Sequence, residues 1–355
     1  MVLFSPLSLR SVTLPNRVGV APMCQYSAEE GLANDWHLVH LGARATGGAG
    51  LVMTEAVAVS PEGRISPQDL GLWDDGQVHP LARIASFITG QGSVPAIQLA
   101  HAGRKASTKR PWDGGGTASP AAGGWSPVLA PSAVPFDDGW QVPLALDEAS
   151  LARIVDDFVA ATRRAAAAGF RVAEIHAAHG YLLHQFLSPI SNRRSDDWGG
   201  TLRNRMRVPL RVIEAVRSAW PADLPLFLRI SATDWVEGGF VPHEAVVFAR
   251  EAHALGVDLV DCSSGGMHPR AKVPVTPGYQ VPFAARIRKE AAVATAAVGL
   301  ITTARQANEI VEQGLADVVL LGREMLRSPH WALRASAELD SPLPGPRPYE
   351  RARPF

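Results

Sequence analysis

Short apolar runs recur along the chain, each followed by a longer helix-like stretch, and the alternation repeats eight times. The runs cover residues 18–23, 51–59, 95–100, 171–175, 225–230, 257–262, 292–298 and 317–321. Short, nearly continuous apolar runs are what strands buried on both faces look like. The stretches 35–46, 77–89, 148–168, 204–219, 242–255, 283–290, 303–313 and 323–339 read as helices. Their punctuation agrees: Asp147 suits an N-cap, Pro242 a helix start, and Gly169, Gly256 and Gly314 helix ends. Eight strand–helix units in 355 residues is the count for a (β/α)8 barrel. A doubly wound sheet competes, but ordinarily uses fewer strands per domain.

The expected fold is therefore α/β, a single TIM barrel over residues 1–355. Residues 4–16 alternate apolar and polar side chains, with turn-forming Pro15-Asn16, and predict a hairpin closing the bottom of the barrel. Residues 104–142, rich in Gly, Pro, Ser and Trp, form a long loop after the third strand. Loops of that length are usually functional or mobile, and in a barrel this one would lie on the carboxyl-terminal face, over the active site. Its Gly114-Gly115-Gly116 is no phosphate loop, since no Lys-Ser or Lys-Thr follows. The Pro- and Arg-rich tail, 342–355, is expected to be irregular.

A formal net charge of zero removes the electrostatic footprint of a nucleic-acid binder. No apolar run approaches the ~18 residues of a membrane helix, and residues 1–10 lack the pattern of a signal peptide. Two cysteines, Cys24 and Cys262, exclude a disulfide framework and a four-cysteine iron–sulfur cluster. A soluble cytoplasmic protein, with neither a nucleic-acid nor a membrane partner, is the expectation.

The chemistry concentrates just past the fourth run, at Glu174-Ile175-His176-Ala177-Ala178-His179-Gly180-Tyr181. Barrels build active sites from side chains at strand carboxyl ends. Two imidazoles can donate to one oxygen while a phenol delivers a proton. Two other readings stand beside this one. His-x-x-His is a possible metal pair, although no Cys or carboxylate lies at ligand spacing in the stretch. The histidines can also be merely satisfied structural groups. The other strand ends are polar or glycine-rich too: residues 21–26, Glu55-Ala56, Gln98 with His101, Arg104 and Lys105, Arg229 with Ser231, Ser263 to Gly266, Gly299, and Gly322-Arg323. The loops after the last two barrel strands often bind phosphate, and Arg323 adds a fixed cation. Turn glycines and a surface arginine are the plainer alternative. With phosphate there, Gln98 and Arg229 stand at the polar end of an attached ring system, which suggests flavin mononucleotide.

The chain resembles the Old Yellow Enzyme family of flavin-dependent ene-reductases, in its thermophilic-like branch. The resemblance rests on Ala21-Pro22-Met23-Cys24-Gln25-Tyr26, on Gln98 to Lys105, on His176 to Tyr181, and on Asp261-Cys262-Ser263-Ser264-Gly265. Leu187-Ser188-Pro189, Trp198-Gly199-Gly200 with Arg203-Asn204-Arg205, and Gly322-Arg323-Glu324 extend it across about residues 3–350. The resemblance implies non-covalent FMN held by Ala21, Pro22, Met23, Cys24, Ala56, Gln98, Arg229, Ser263, Gly299, Gly322 and Arg323. It implies that NADPH or NADH reduces the flavin. Hydride then passes to the β-carbon of an enone, maleimide or nitro compound, in trans addition. His176 and His179 would bind the substrate oxygen, Tyr26 would line the pocket, and Tyr181 would donate the proton. Cys24, where the other main branch has threonine, would modulate the flavin. Phenols are expected ligands. A homodimer or homotetramer is implied, with Arg351, or Arg353 in its place, reaching into the neighbouring subunit's site. From other classes, a metal-dependent barrel lyase or hydrolase and a non-catalytic FMN-binding protein remain as alternatives.

Overall fold

The hairpin comes first, as β1 (Leu7–Leu9) antiparallel to β2 (Val12–Leu14). Its turn is at Arg10, which takes φ +50°, rather than at Pro15-Asn16. Asn16 instead ties the hairpin to the barrel base. Its Oδ1 accepts from the amides of Val18 and Gly50, and its Nδ2 donates to Gly48 O.

The computed structural model describes residues 1–352. Eight parallel strands close a barrel: β3 (Val18–Val20), β4 (Leu51–Ala58), β5 (Val94–Ala100), β8 (Val172–Ala177), β9 (Leu226–Ser231), β10 (Leu259–Ser263), β11 (Ala294–Ala297) and β12 (Val318–Leu321). Closure is made where β12 meets β3, with Val319 opposite Val18 and Leu321 opposite Val20. Every residue of β4 and β5 is buried, which is why these runs read as nearly continuously apolar. The outer ring contains α1 (Asp35–Thr46), α2 (Val78–Gly90), α3 (Glu148–Ala167), α5 (Leu202–Ala219), α6 (Pro242–Ala254), α7 (Val281–Ala291) and α8 (Ala304–Glu312). Capping side chains fix several starts. Asp147 accepts from Ser150 N at 2.8 Å, and Asn34 accepts from Trp36 N at 3.1 Å.

The structure departs from expectation in several further places. Strand β11 starts two residues late, because Ala292 adopts φ +54° and closes α7 in a left-handed turn. The stretch 323–339 is two helices, α9 (Arg323–Arg327) and α10 (Trp331–Glu338), broken around Pro329, which has no amide hydrogen to continue the ladder. A six-residue helix, α4 (Leu182–Leu187), follows Tyr181, where no helix was expected. The tail is not wholly irregular: Arg347–Ala352 forms a 3-10 helix, anchored by the Tyr349 ring 6.3 Å from that of His330. Arg351 is exposed on it, and Arg353 lies outside the described residues.

The long segment after β5 is not patternless. It contains a short parallel ladder, β6 (Leu129–Ala130) with β7 (Leu144–Ala145). It reaches the carboxyl-terminal face of the barrel through Arg104, which donates to Met267 O at 2.8 Å, and Trp112, whose ring lies 5.7 Å from that of Tyr26. Among the described residues, no helix is long and apolar enough to cross a membrane.

Candidate active site

Parity along β8 decides what faces the barrel interior. Glu174 and His176 are two residues apart in a strand, so they share a side. Glu174 is fully buried and accepts from Gln98 Nε2 at 2.7 Å. On β9 and β10, Arg229 and Asp261 are register neighbours and form an ion pair at 2.9 Å. Gln98, Glu174, Arg229 and Asp261 thus build a polar layer across four adjacent strands. Two carboxyls lie in the field of one guanidinium in a low-dielectric interior, and only Asp261 pairs with it, so ionising both is costly. Burial and then Asp261 push the Glu174 carboxyl up to about 8. Burial pushes Asp261 up to about 6 against the pull of Arg229.

Above this layer the chain turns sharply. His179 and Gly180 both take positive φ, +57° and +75°. The turn is tied from several directions. His179 N donates to Ser231 Oγ at 2.9 Å, and Lys105 Nζ donates to His179 O at 2.8 Å. Gly180 N donates to His184 Nδ1 at 2.9 Å. That leaves His184 Nε2 to face Asp234 Oδ1 at 2.9 Å, with both side chains fully buried. Asp234 in turn accepts from Ser188 Oγ and Phe240 N. Burial alone would raise the Asp234 carboxyl, but His184 and these donors hold it below the usual carboxylate range.

The result is a compact trio. The His176 Nε2 and His179 Nδ1 atoms stand 3.4 Å apart, and the Tyr181 ring lies 5.0 Å from that of His176. Ala178 N donates to His176 Nδ1 at 3.1 Å, so the ring hydrogen of neutral His176 sits on Nε2. Burial, then Arg229, holds both histidines well below the usual imidazole range. Burial, then Cys24 and Tyr26, pushes the Tyr181 phenol well above its usual value. Lys105 is pushed down to about 8 by burial and Arg104, and its ammonium sits 5.0 Å from the Tyr181 ring.

The first strand end supplies the opposite wall. Cys24, Tyr26 and Tyr181 pack against one apolar cluster of Ile65, Ala102, Ala106 and Val128. Tyr26 holds φ +51°, and Gln25 N donates to Glu55 Oε2 at 3.0 Å. The other oxygen of Glu55 faces His37 Nε2 at 3.2 Å. Burial, then Asp69 and Glu55, pushes the Cys24 thiol up, so it stays protonated.

A cleft of about 180 Å³ runs from Arg229 and Ser263 to Gly299, Gly322 and Arg323. Gly322 borders Ala21 and Met23, and a Cβ there would stand 3.7 Å from Met23 Sδ. Ala56 lies opposite Gln98 in the β4–β5 ladder. Pro22 is half-buried between Ala21 and Met23. Ser263 lines the cleft, but its Oγ is 2.7 Å from His179 Nε2.

The sequence pattern of the NADH:flavin oxidoreductase / NADH oxidase family matches residues 2–341. The chain belongs to this family. An NADPH dehydrogenase of Geobacillus thermodenitrificans is 45% identical over 356 residues, covering 100% of this chain and 99% of that protein. One from Listeria monocytogenes serotype 4a is 46% identical over 352 residues, covering 99% and 98%. Among solved structures, morphinone reductase matches with TM-score 0.79 at 28% identity, covering 98% of this chain and 91% of that one. The old yellow enzyme homologue from Zymomonas mobilis matches with TM-score 0.77 at 26% identity, covering 97% and 94%. As a family member the protein is a flavin-dependent oxidoreductase with FMN as cofactor and a nicotinamide as reductant. That replaces the metal-dependent lyase reading and the non-catalytic one. The cleft fits FMN on its donor chemistry. A buried cation, Arg229, stands at one end, and a second cation with two glycine-flanked turns stands at the other.

Proposed function

We propose that the protein is an FMN-dependent ene-reductase that saturates the activated double bond of α,β-unsaturated carbonyl and nitro compounds. The observation that carries this reading is the pair of neutral imidazoles whose facing nitrogens stand 3.4 Å apart beside a protonated phenol. When bound, reduced FMN supplies hydride to the β-carbon, and NADPH or NADH restores it. Hydride addition sends an electron pair to the substrate oxygen. Donors aimed at that oxygen stabilise the charge where it develops. His176 and His179 bind and orient the oxygen. Tyr181, protonated across the neutral pH range, gives its proton to the α-carbon from the opposite face. Tyr26, with the Trp112 ring edge-on against it, bounds the substrate side.

In this reading Ala21, Pro22, Met23, Cys24, Ala56, Gln98 and Arg229 border the flavin ring system. Gly299, Gly322 and Arg323 hold its phosphate. Arg351, exposed at the chain end, serves the site of a neighbouring copy in a dimer or tetramer. Truncation before Arg351 then raises substrate KM.

The test is a visible spectrum of the purified protein, followed anaerobically by NADPH and then cyclohexenone. A flavin spectrum that bleaches with NADPH and returns with the enone supports the reading. A flavin that bleaches and is reoxidised by oxygen but by no enone or nitroalkene removes it.

A further inference from the structure

The two histidines act as paired donors only if His179 carries its ring hydrogen on Nδ1, the nitrogen that faces His176. Neutral imidazole has one hydrogen, and the partner of the other nitrogen decides where it sits. For His179 that partner is Ser263, with Oγ 2.7 Å from Nε2. The hydroxyl hydrogen of Ser263 has two acceptors in reach, His179 Nε2 at 2.7 Å and Gln280 Oε1 at 3.3 Å. The second already accepts one hydrogen bond, from Ser264 Oγ at 2.7 Å, and is the more distant by far. Gln280 cannot turn to offer its amide hydrogens instead, because Nε2 donates to Val298 O at 3.0 Å. The shorter contact, to His179 Nε2, makes the stronger bond for that hydrogen.

The other side of the ring agrees. With the His176 hydrogen on Nε2, a hydrogen bond from it to His179 Nδ1 would be expected near 2.9–3.0 Å. The separation is 3.4 Å, longer than such a bond, which fits both nitrogens carrying hydrogen.

We propose that Ser263 is a positioning residue that donates to His179 Nε2, fixes the Nδ1–H form of that ring, and so makes the two histidines a paired-donor site. The inference rests on the ene-reductase reading for its use, but not for its measurement. It also reassigns Ser263, which the family resemblance placed among the flavin contacts.

The experiment uses the FMN-loaded full chain with 15N-labelled histidine side chains, His179 being assigned by the signal lost in His179→Gln. Nitrogen shifts report which ring nitrogen bears hydrogen. The expected result is His179 protonated on Nδ1 in the native protein, and on Nε2 or on both nitrogens in exchange in Ser263→Ala. Phenol, titrated by its charge-transfer band, then binds about tenfold more weakly to Ser263→Ala. Ser263→Thr restores both signals. FMN content stays at the native level in all three. Native His179 protonated on Nε2 overturns the proposal, as does an unchanged ring in Ser263→Ala. Loss of FMN from Ser263→Ala also overturns it, by making Ser263 a cofactor ligand. Should Ser263→Ala fail to fold, the native tautomer and Ser263→Thr still decide. A chain that reduces no enone but carries His179 Nδ1–H defeats the ene-reductase reading and leaves this one standing.

Discussion

Beside the cleft, past the end of β8, the turn carrying His179 and Tyr181 is tied largely by other side chains. Ser231, Ser263, Lys105 and the buried His184–Asp234 pair all bond to the turn that carries them. At the β11–β12 end, Gly299 and Gly322 present bare backbone, and Arg323 is an exposed cation. The first end also drives its groups towards neutrality, while the second keeps a permanent charge. The difference follows from the tasks each end is proposed to do. A developing oxyanion needs neutral donors at fixed angles in a dry pocket. A phosphate needs charge and amide hydrogens, and tolerates some looseness.

The largest effect expected from this contrast lies at Tyr181. In Tyr181→Phe the ring remains but the acid is gone. Reoxidation of the reduced flavin by cyclohexenone should slow by about 10²–10⁴-fold, the usual worth of a positioned general acid. Reduction by NADPH, which needs no such proton, should keep its rate. Stopped-flow traces of the two half-reactions separate them. Equal rates in mutant and native protein would move the proton donor elsewhere and weaken the contrast at its strongest point.

His179→Ala comes next. Removing one of two oxyanion donors is worth about 10²–10³ in turnover. FMN content should not change, because the ring faces His176 and Ser263. A protein that loses its flavin here would show that the two ends are not separate in function.

The same contrast explains what could be read in the sequence. The β8 end was legible because strand parity and the close spacing of His176, His179 and Tyr181 put three reactive groups past one strand. Glu174 was visible by the same parity. Its partners were not, since Gln98, Arg229 and Asp261 come from three other strands and meet it only through barrel closure. The His184–Asp234 pair is harder still. It joins an unexpected short helix to a loop some fifty residues away, and neither residue has a local signal. Gly299, Gly322 and Arg323 gained meaning only from their place after the last two strands. The barrel itself was legible because each strand is buried on both faces. The split of α9 from α10 and the late start of β11 were missed for a different reason. A proline and a left-handed alanine act on one or two residues, below the resolution of periodicity.

Arg323→Ala sets the contrast from the other end. A charge-assisted contact to phosphate is worth about 1.5–3 kcal/mol, so FMN should bind roughly 10–150-fold more weakly. With excess FMN restored, phenol affinity should match the native protein, because nothing at His176 or His179 has moved. Fluorescence titration of FMN into the stripped protein measures the first, and the charge-transfer band the second. Weakened phenol binding in the reconstituted variant would couple the ends.

The smallest expected effect is an absence of pH dependence, and it tests the neutrality of the β8 end directly. An ordinary histidine has a pKa of about 6.5 and is mostly cationic at about pH 6. Burial, Arg229 and Lys105 all disfavour the cation at His176 and His179, so their shift is downwards. A lowered pKa means that the neutral, hydrogen-donating form persists as pH falls through the usual histidine range. Tyr181 is shifted upwards and keeps its proton at the other limit. Affinity for a neutral enone should therefore stay flat between about pH 6 and 7.5, below the point near 8 where Lys105 loses its charge. An acid limb centred near 6.5 would mean that one imidazole titrates as if in water. The turn would then be open to solvent, and the side-chain ties that distinguish this end would not be holding it closed.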